Sequence, residues 1–272
     1  DRLAALGVAV SVGHSANQVG EAAVVTRSTA VPDTNPECRA ALERGIPLYG
    51  RPEILGAISA LRQTIAVAGT HGKTTTSSML ALVLREAGLR PSFIIGGDVN
   101  EIGTGAAWDE GDLLVVEADE SDGSFLELST RFGLVTNLEP DHLEHHGGFD
   151  PLLEAFDRFV EAVDGPVLVG ADDEQGAALA QRHATATVGT SVGSDWRLSG
   201  VVESWEGVRF TLTGPASGAF ELELPVPGLH NARNAASAAA MAITAGAAPE
   251  AVASGLARFG GVARRFEHRG QV

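Results

Sequence analysis

The chain has 272 residues, 44% of them hydrophobic and 20% charged, which is the make-up of a globular protein with room for one large domain and part of another. Its 35 acidic residues against 19 lysines and arginines, a net charge of −16, exclude a chain built for non-specific nucleic-acid binding, because a phosphate backbone must be met by cations. The longest apolar runs, such as 113–116 and 167–170, fall far short of the roughly 20 residues of a membrane span, so no membrane insertion is expected.

Residues 1–11 lack a basic start, a long apolar core and a cleavage-type end, so no secretory signal is read and a cytoplasmic location is expected. Val8–Ser11 and Ala23–Thr26 read as strands, Pro36–Arg44 as a helix stopped by Gly45, and Ile46–Tyr49 as another short strand. This is an incomplete α/β unit, and the expectation is a chain that starts within a domain. Cys38, the single cysteine, excludes an internal disulfide and reads as a buried small hydrophobe.

From Thr64 onward short β-branched runs alternate with longer amphipathic ones: 65–68, 74–87, 93–95, 113–116, 134–136, 151–163 and 167–169. That alternation predicts a mostly parallel α/β sheet with helices on both faces. Between about 185 and 226 the texture changes to Trp196–Val202, Val208–Thr213 and Phe220–Leu224, separated by glycine and serine, which reads as a small antiparallel sheet. Two alanine-rich helices follow, 230–246 and 249–259, the second opened by Pro249.

The strongest motif, Gly69-Thr70-His71-Gly72-Lys73-Thr74-Thr75, stands between the strand 65–68 and an amphipathic helix. Glycines there let backbone N–H groups turn toward a phosphate, the helix N-terminus adds its positive end, lysine reaches the outer phosphates and threonine offers a hydroxyl to magnesium. The general P-loop pattern places glycine where Val67 stands, so this is a shorter variant. His71, inside the loop, is a candidate to touch phosphate or substrate.

Glu117-Ala118-Asp119-Glu120-Ser121-Asp122 follows the strand 113–116, at the end where ligands collect in open parallel sheets. Four carboxylates so close call for a cation. Thr136-Asn137-Leu138-Glu139-Pro140-Asp141-His142 follows the next strand. By chemistry alone His142 is not a distinctive magnesium ligand, since that ion prefers oxygen. His145 and His146, beside glycines, read as solvent-facing loop residues. In Pro227-Gly228-Leu229-His230-Asn231-Ala232-Arg233-Asn234 the two asparagines share a helical face, although Asn231 can equally be a helix cap. Arg264-Arg265-Phe266-Glu267 can be a solvated linker or a phosphate contact.

Together these motifs resemble the Mur ligase family, over nearly the whole chain. The short Gly-Thr-x-Gly-Lys-Thr loop is the form used there and in folylpolyglutamate synthetases. The resemblance implies an ATP- and magnesium-dependent amide-bond-forming enzyme. Gly69, Thr70, His71, Gly72, Lys73, Thr74, Thr75, Asn231, Asn234 and Arg265 would bind ATP, and Thr74, Glu117 and His142 would hold the metal, with Lys73, Glu117 and His142 as the catalytic set. Gly13-His14-x-x-Asn17, Ser28-Thr29-Ala30 and Asn35-Pro36-Glu37 resemble the later half of the family's UDP-sugar-binding domain. His14, Ser28, Thr29, Asp119 and Ser121 are therefore candidates for the substrate.

The implied organisation is 1–61 for that domain, 62–262 for the central ATP-binding domain and 263–272 for a hinge to a C-terminal ligase domain. The motifs are nearest to the branch that joins L-alanine to UDP-N-acetylmuramic acid for cell-wall synthesis. Ser121 stands where the tripeptide-recycling branch generally has tyrosine. The remaining alternatives are that recycling ligase, a folate-type ligase and a P-loop ATP-binding module without ligase activity; the sequence leaves the oligomeric state open.

Overall fold

The computed structural model describes residues 2–28, 30–121, 123–141, 147–215 and 217–262. They fall into two compact units, Asp1–Ile58 and Ser59–Val272.

In the first unit, α1 (Arg2–Ala5) and a 3-10 turn (Ala16–Val19) precede β1 (Val25–Arg27), α2 (Pro36–Glu43), β2 (Leu48–Gly50) and α3 (Arg51–Ser59). Asn35 caps α2 by accepting from the Glu37 N–H, and Pro36 opens its first turn, where a missing N–H costs nothing. Cys38, Ala40 and Ala41 form the buried face of α2, so Cys38 is the small buried hydrophobe its surroundings predict. β1 and β2 pair in parallel, Val25 opposite Leu48. The strand expected over 8–11 is absent: Val8 and Val10 are 50% and 45% exposed, and no described residue forms a ladder with them. An alternating pattern becomes a strand only where a neighbouring backbone supplies partners.

The second unit is built on one ten-stranded sheet among the described residues, in the order β12-β11-β10-β9-β8-β7-β3-β6-β4-β5. Its parallel section comprises β3 (Gln63–Ala68), β4 (Ser92–Val99), β6 (Leu113–Glu117), β7 (Thr130–Val135), β8 (Val167–Gly170) and β9 (Ala186–Gly189). β5 (Thr104–Ala107) pairs antiparallel to β4 at one edge. At the other edge, β10 (Trp196–Ser204), β11 (Gly207–Gly214) and β12 (Gly218–Leu224) are antiparallel to one another. β9 pairs in parallel with β10, so the antiparallel strands continue the parallel sheet.

Both faces are covered. Ile65, Val67, Val115, Leu134 and Leu168 join one core with Met79, Leu80 and Val83 of α4 (Lys73–Glu86) and with the alanines of α7 (Leu229–Thr244). The alternate residues Ala66, Leu114, Val116, Val135 and Val169 are buried too, as strands buried on both sides require. Helix α4 packs against both α7 and α8 (Pro249–Ala257), and every residue from Thr74 to Leu84 is buried. Alanine side chains on α7 allow such close helix packing. A second apolar cluster packs Phe125 tilted against Phe156 and stacked on Phe159 of α5 (Phe149–Ala162), with ring centroids 5.4 Å apart in each pair.

α3, β5, β9 and α6 (Glu174–His183) are not among the elements read from the sequence. β5 is a short Thr-Gly-Ala-Ala run with no β-branched pattern, and pairing with β4 makes it a strand. α6 did have a local signal: Asp173 caps it by accepting from the Gly176 N–H. No helix of the described residues is long and apolar enough to cross a membrane.

Candidate functional site

Because β3, β6, β7 and β8 run parallel and adjacent, their C-terminal ends share one edge of the sheet. The glycine loop leaves β3 there and enters α4. Gly72, the residue before α4, has φ +82°, a left-handed conformation that favours glycine. Its neighbour is Asn234: a Cβ built on Gly72 would lie 2.5 Å from Asn234 Oδ1. Gly69, with φ +125°, leaves still less room, since a Cβ there would run into Thr136 Oγ1 and also lie 2.9 Å from the Thr136 N and 3.0 Å from the Asn137 O.

Residues after β7 brace the loop. The Thr70 N–H donates to the Asn137 O at 3.0 Å. The Thr70 hydroxyl donates to the Glu139 O at 3.1 Å and accepts from the Glu139 N–H at 3.0 Å. The His71 N–H donates to Asn137 Oδ1 at 2.9 Å, and the His71 O accepts from Asn137 Nδ2 at 2.8 Å and from Thr136 Oγ1 at 2.7 Å. The His71 imidazole is half-exposed, 3.4 Å from Glu139 Oε2 and 3.9 Å from Asp141 Oδ2.

Beyond the loop, the Thr74 hydroxyl donates to Glu117 Oε1 at 2.6 Å, while Glu117 Oε2 accepts from the Gly96 N–H at 2.6 Å. Lys73 Nζ donates to the Gly69 O at 2.8 Å and pairs with Glu120 Oε2 at 2.8 Å. Thus Lys73, Thr74 and Glu117, three of the expected site residues, meet at the sheet edge. Asp119 and Ser121 lie in the loop after β6, where the Ser121 N–H donates to Asp119 Oδ1 at 3.0 Å. Among the described residues no group of three His, Cys, Asp or Glu is placed to hold a metal ion. The donors that are present, a threonine hydroxyl and a carboxylate, are the hard oxygens magnesium takes when phosphate oxygens and water complete its shell.

Alongside the loop lies a cavity of about 370 Å³ whose wall includes His71, Gly72, Thr75, Asn231 and Asn234. Asn231 is buried, and its Nδ2 donates to the Pro227 O at 2.7 Å, which ties the start of α7 to the preceding turn. The same cavity is lined by Asp172, Asp173, His230 and Arg233, none of which the sequence reading assigned to the site. Arg233 Nε pairs with Asp172 Oδ2 at 2.7 Å. Burial pushes the Asp173 carboxyl above the usual carboxylate range, against the lowering effect of the Gly176 N–H. A signal for the two aspartates was available, since they directly follow a recognisable strand at its ligand-binding end.

His14 and Ser28 belong to the first unit. His14 Nδ1 lies 3.1 Å from Glu37 Oε1, and Ser28 Oγ accepts from the Ala30 N–H at 3.3 Å. Thr29, Asp122, His142, His145, His146 and Arg265 lie outside the described residues.

The sheet, the short glycine loop and the carboxylate facing it define a phosphate-binding α/β protein of the P-loop type. The Mur ligase middle domain matches residues 67–242, and the Mur ligase family catalytic domain matches residues 1–63. The chain belongs to the Mur ligase family.

Among its relatives, the UDP-N-acetylmuramate–L-alanine ligase of Arthrobacter sp. (strain FB24) is 43% identical over 99% of this chain and 58% of its own length. The enzyme of that name from Renibacterium salmoninarum is 45% identical over 99% of this chain and 59% of its own. The chain therefore spans under two thirds of these relatives.

The crystal structure of UDP-N-acetylmuramate-alanine ligase MurC from Thermotoga maritima superposes with a TM-score of 0.86 at 30% identity, covering 99% of this chain and 62% of that one. The UDP-N-acetylmuramate:L-alanyl-gamma-D-glutamyl-meso-diaminopimelate ligase from Neisseria meningitides gives 0.82 at 27% identity, covering 95% of this chain and 86% of that one.

Proposed function

We propose that this chain is the ATP-binding part of a UDP-N-acetylmuramate–L-alanine ligase (MurC), a cytoplasmic enzyme of peptidoglycan precursor synthesis. In that reaction an oxygen of the lactyl carboxylate of UDP-N-acetylmuramic acid attacks the γ-phosphorus of ATP, and ADP leaves. The amine of L-alanine then attacks the acyl phosphate carbon, losing a proton as inorganic phosphate departs. On this reading residues 1–61 are the later part of the UDP-sugar-binding domain, with His14, Ser28 and Thr29 among its substrate contacts, and 62–262 form the ATP-binding domain.

One observation supports phosphoryl transfer above all: Lys73, Thr74 and Glu117 meet at the mouth of a glycine loop beside a 370 Å³ cavity. The N–H groups of the first turn of α4 and the helix's positive end would face the triphosphate, since those of Thr70 and His71 are bonded to Asn137. Lys73 would exchange a loop carbonyl for a phosphate oxygen and balance charge on the transferring group. Thr74, Glu117 and His142 would hold magnesium, which when bound neutralises phosphate charge. Asn234, packed on Gly72, and Asn231 would face the nucleoside in the adjoining cavity, and Arg265 would reach the phosphates. Asp119 and Ser121, in the loop after β6, would meet the substrate side.

The choice of L-alanine over tripeptide rests on the named activity of the relatives and on Ser121. Titration calorimetry with magnesium and ATP tests the nucleotide reading: Lys73→Ala should weaken binding by about tenfold or more, as loss of a charge-assisted hydrogen bond predicts. Binding that survives unchanged in that variant would sink the proposal. An acceptor screen on the product of the complete gene, L-alanine against tripeptide, decides between the two ligases.

A further inference from the structure

The Lys73 ammonium is fully engaged by the protein's own acceptors. It lies 2.8 Å from the Gly69 O, 3.3 Å from the Thr70 O, 2.9 Å from Glu120 Oε1 and 2.8 Å from Glu120 Oε2. An ammonium has three protons, and two carbonyls and one carboxylate use them all. The pair is also sheltered, with side-chain exposures of 14% for Lys73 and 3% for Glu120, so water screens it far less than a surface ion pair. A phosphate oxygen can reach this ammonium only by displacing an acceptor already bound.

We propose that Glu120 sets the loop's affinity for a triphosphate by competing with phosphate for Lys73. It is a positioning residue that acts through the lysine, and the inference rests on the triphosphate reading given above. If the lysine leaves Glu120, phosphate must replace a sheltered ionic contact. If it keeps Glu120 and releases the carbonyls, its charge stays partly neutralised. Either way the carboxylate lowers the attraction that an incoming triphosphate meets. Such an offset weakens substrate and product alike and leaves room for the spent nucleotide to depart.

The experiment is calorimetric titration of magnesium and a non-hydrolysable ATP analogue into the wild type, Glu120→Gln, Lys73→Ala and the double variant. Glutamine keeps the shape and an acceptor but removes the charge. Glu120→Gln should bind more tightly, on the order of tenfold, and in the Lys73→Ala background the gain should shrink to about twofold or less. A generally loosened fold would not produce tighter binding that depends on one lysine.

Equal or weaker binding by Glu120→Gln overturns the inference. So does the same gain in both backgrounds, which would mean that Glu120 acts on the phosphates directly. Should Glu120→Gln not fold, Glu120→Asp, shorter by one methylene, should give an intermediate gain, and no gain overturns the proposal. A wild type that binds no nucleotide overturns the triphosphate reading and this inference with it, whereas normal wild-type binding with an unresponsive Glu120→Gln overturns this inference alone.

Discussion

Replacing Gly72 by alanine has two separable consequences. At φ +82° an alanine loses about 1–2 kcal/mol to backbone strain. Its new Cβ would also lie 2.5 Å from Asn234 Oδ1, 3.1 Å from Cγ and 3.2 Å from Nδ2, and such overpacking costs typically about 1–3 kcal/mol. Every one of those atoms belongs to a single side chain, so Asn234→Ala should remove the second cost and leave the first. The Gly72→Ala penalty is therefore expected at about 2–5 kcal/mol in the wild type and about 1–2 kcal/mol in the Asn234→Ala background. Urea denaturation of the four proteins without nucleotide, followed by tryptophan fluorescence, gives the coupling directly. Equal penalties in the two backgrounds would refute the argument that Asn234 packs on the loop. Gly69 is a different case, because its nearest neighbours include the Thr136 N and the Asn137 O, and no side-chain truncation relieves a clash with backbone.

Ala184, the residue that ends α6, has φ +51°. Ala184→Gly should raise stability by about 0.5–1 kcal/mol in denaturant titrations, and a loss would contradict the strain assigned there. Asp173 predicts a pH effect. Its folded-state pKa is raised chiefly by burial, so its neutral form is favoured in the folded protein. The stability it contributes is present below the ordinary carboxylate range and is lost as pH rises through the raised value. Asp173→Asn keeps a capping acceptor and removes the titration, so denaturation across that window should show the wild type losing ground to the variant as pH increases, then levelling off. A difference between the two proteins that does not vary with pH would refute the raised value.

How much was legible in the sequence followed the range of the interactions. The glycine loop was readable because strand, loop and helix are consecutive and each follows local backbone preference and periodicity. The same locality exposed α2, with its Gly45 stop, and the alanine-rich α7. Val8–Ser11 shows the limit: its alternation is strand-like, yet no described backbone pairs with it. Asp172 and Asp173 stand at the end of an equally legible strand, but two aspartates there form no motif, and only the packing of α7 makes them walls of the cavity.

The sequence by itself determined the chemistry on offer: a lysine, a threonine and a run of carboxylates at strand ends, under charge too acidic for general phosphate binding. Tertiary structure alone decided which of them meet. The order β7-β3-β6 brings Glu117 to Thr74 across 43 residues of chain and Glu120 to Lys73 across 47. Arg233 likewise reaches Asp172 only because α7 packs beside the β8 edge. Such pairings depend on strand order and helix packing, which are properties of the whole core and are not encoded in any short stretch of residues.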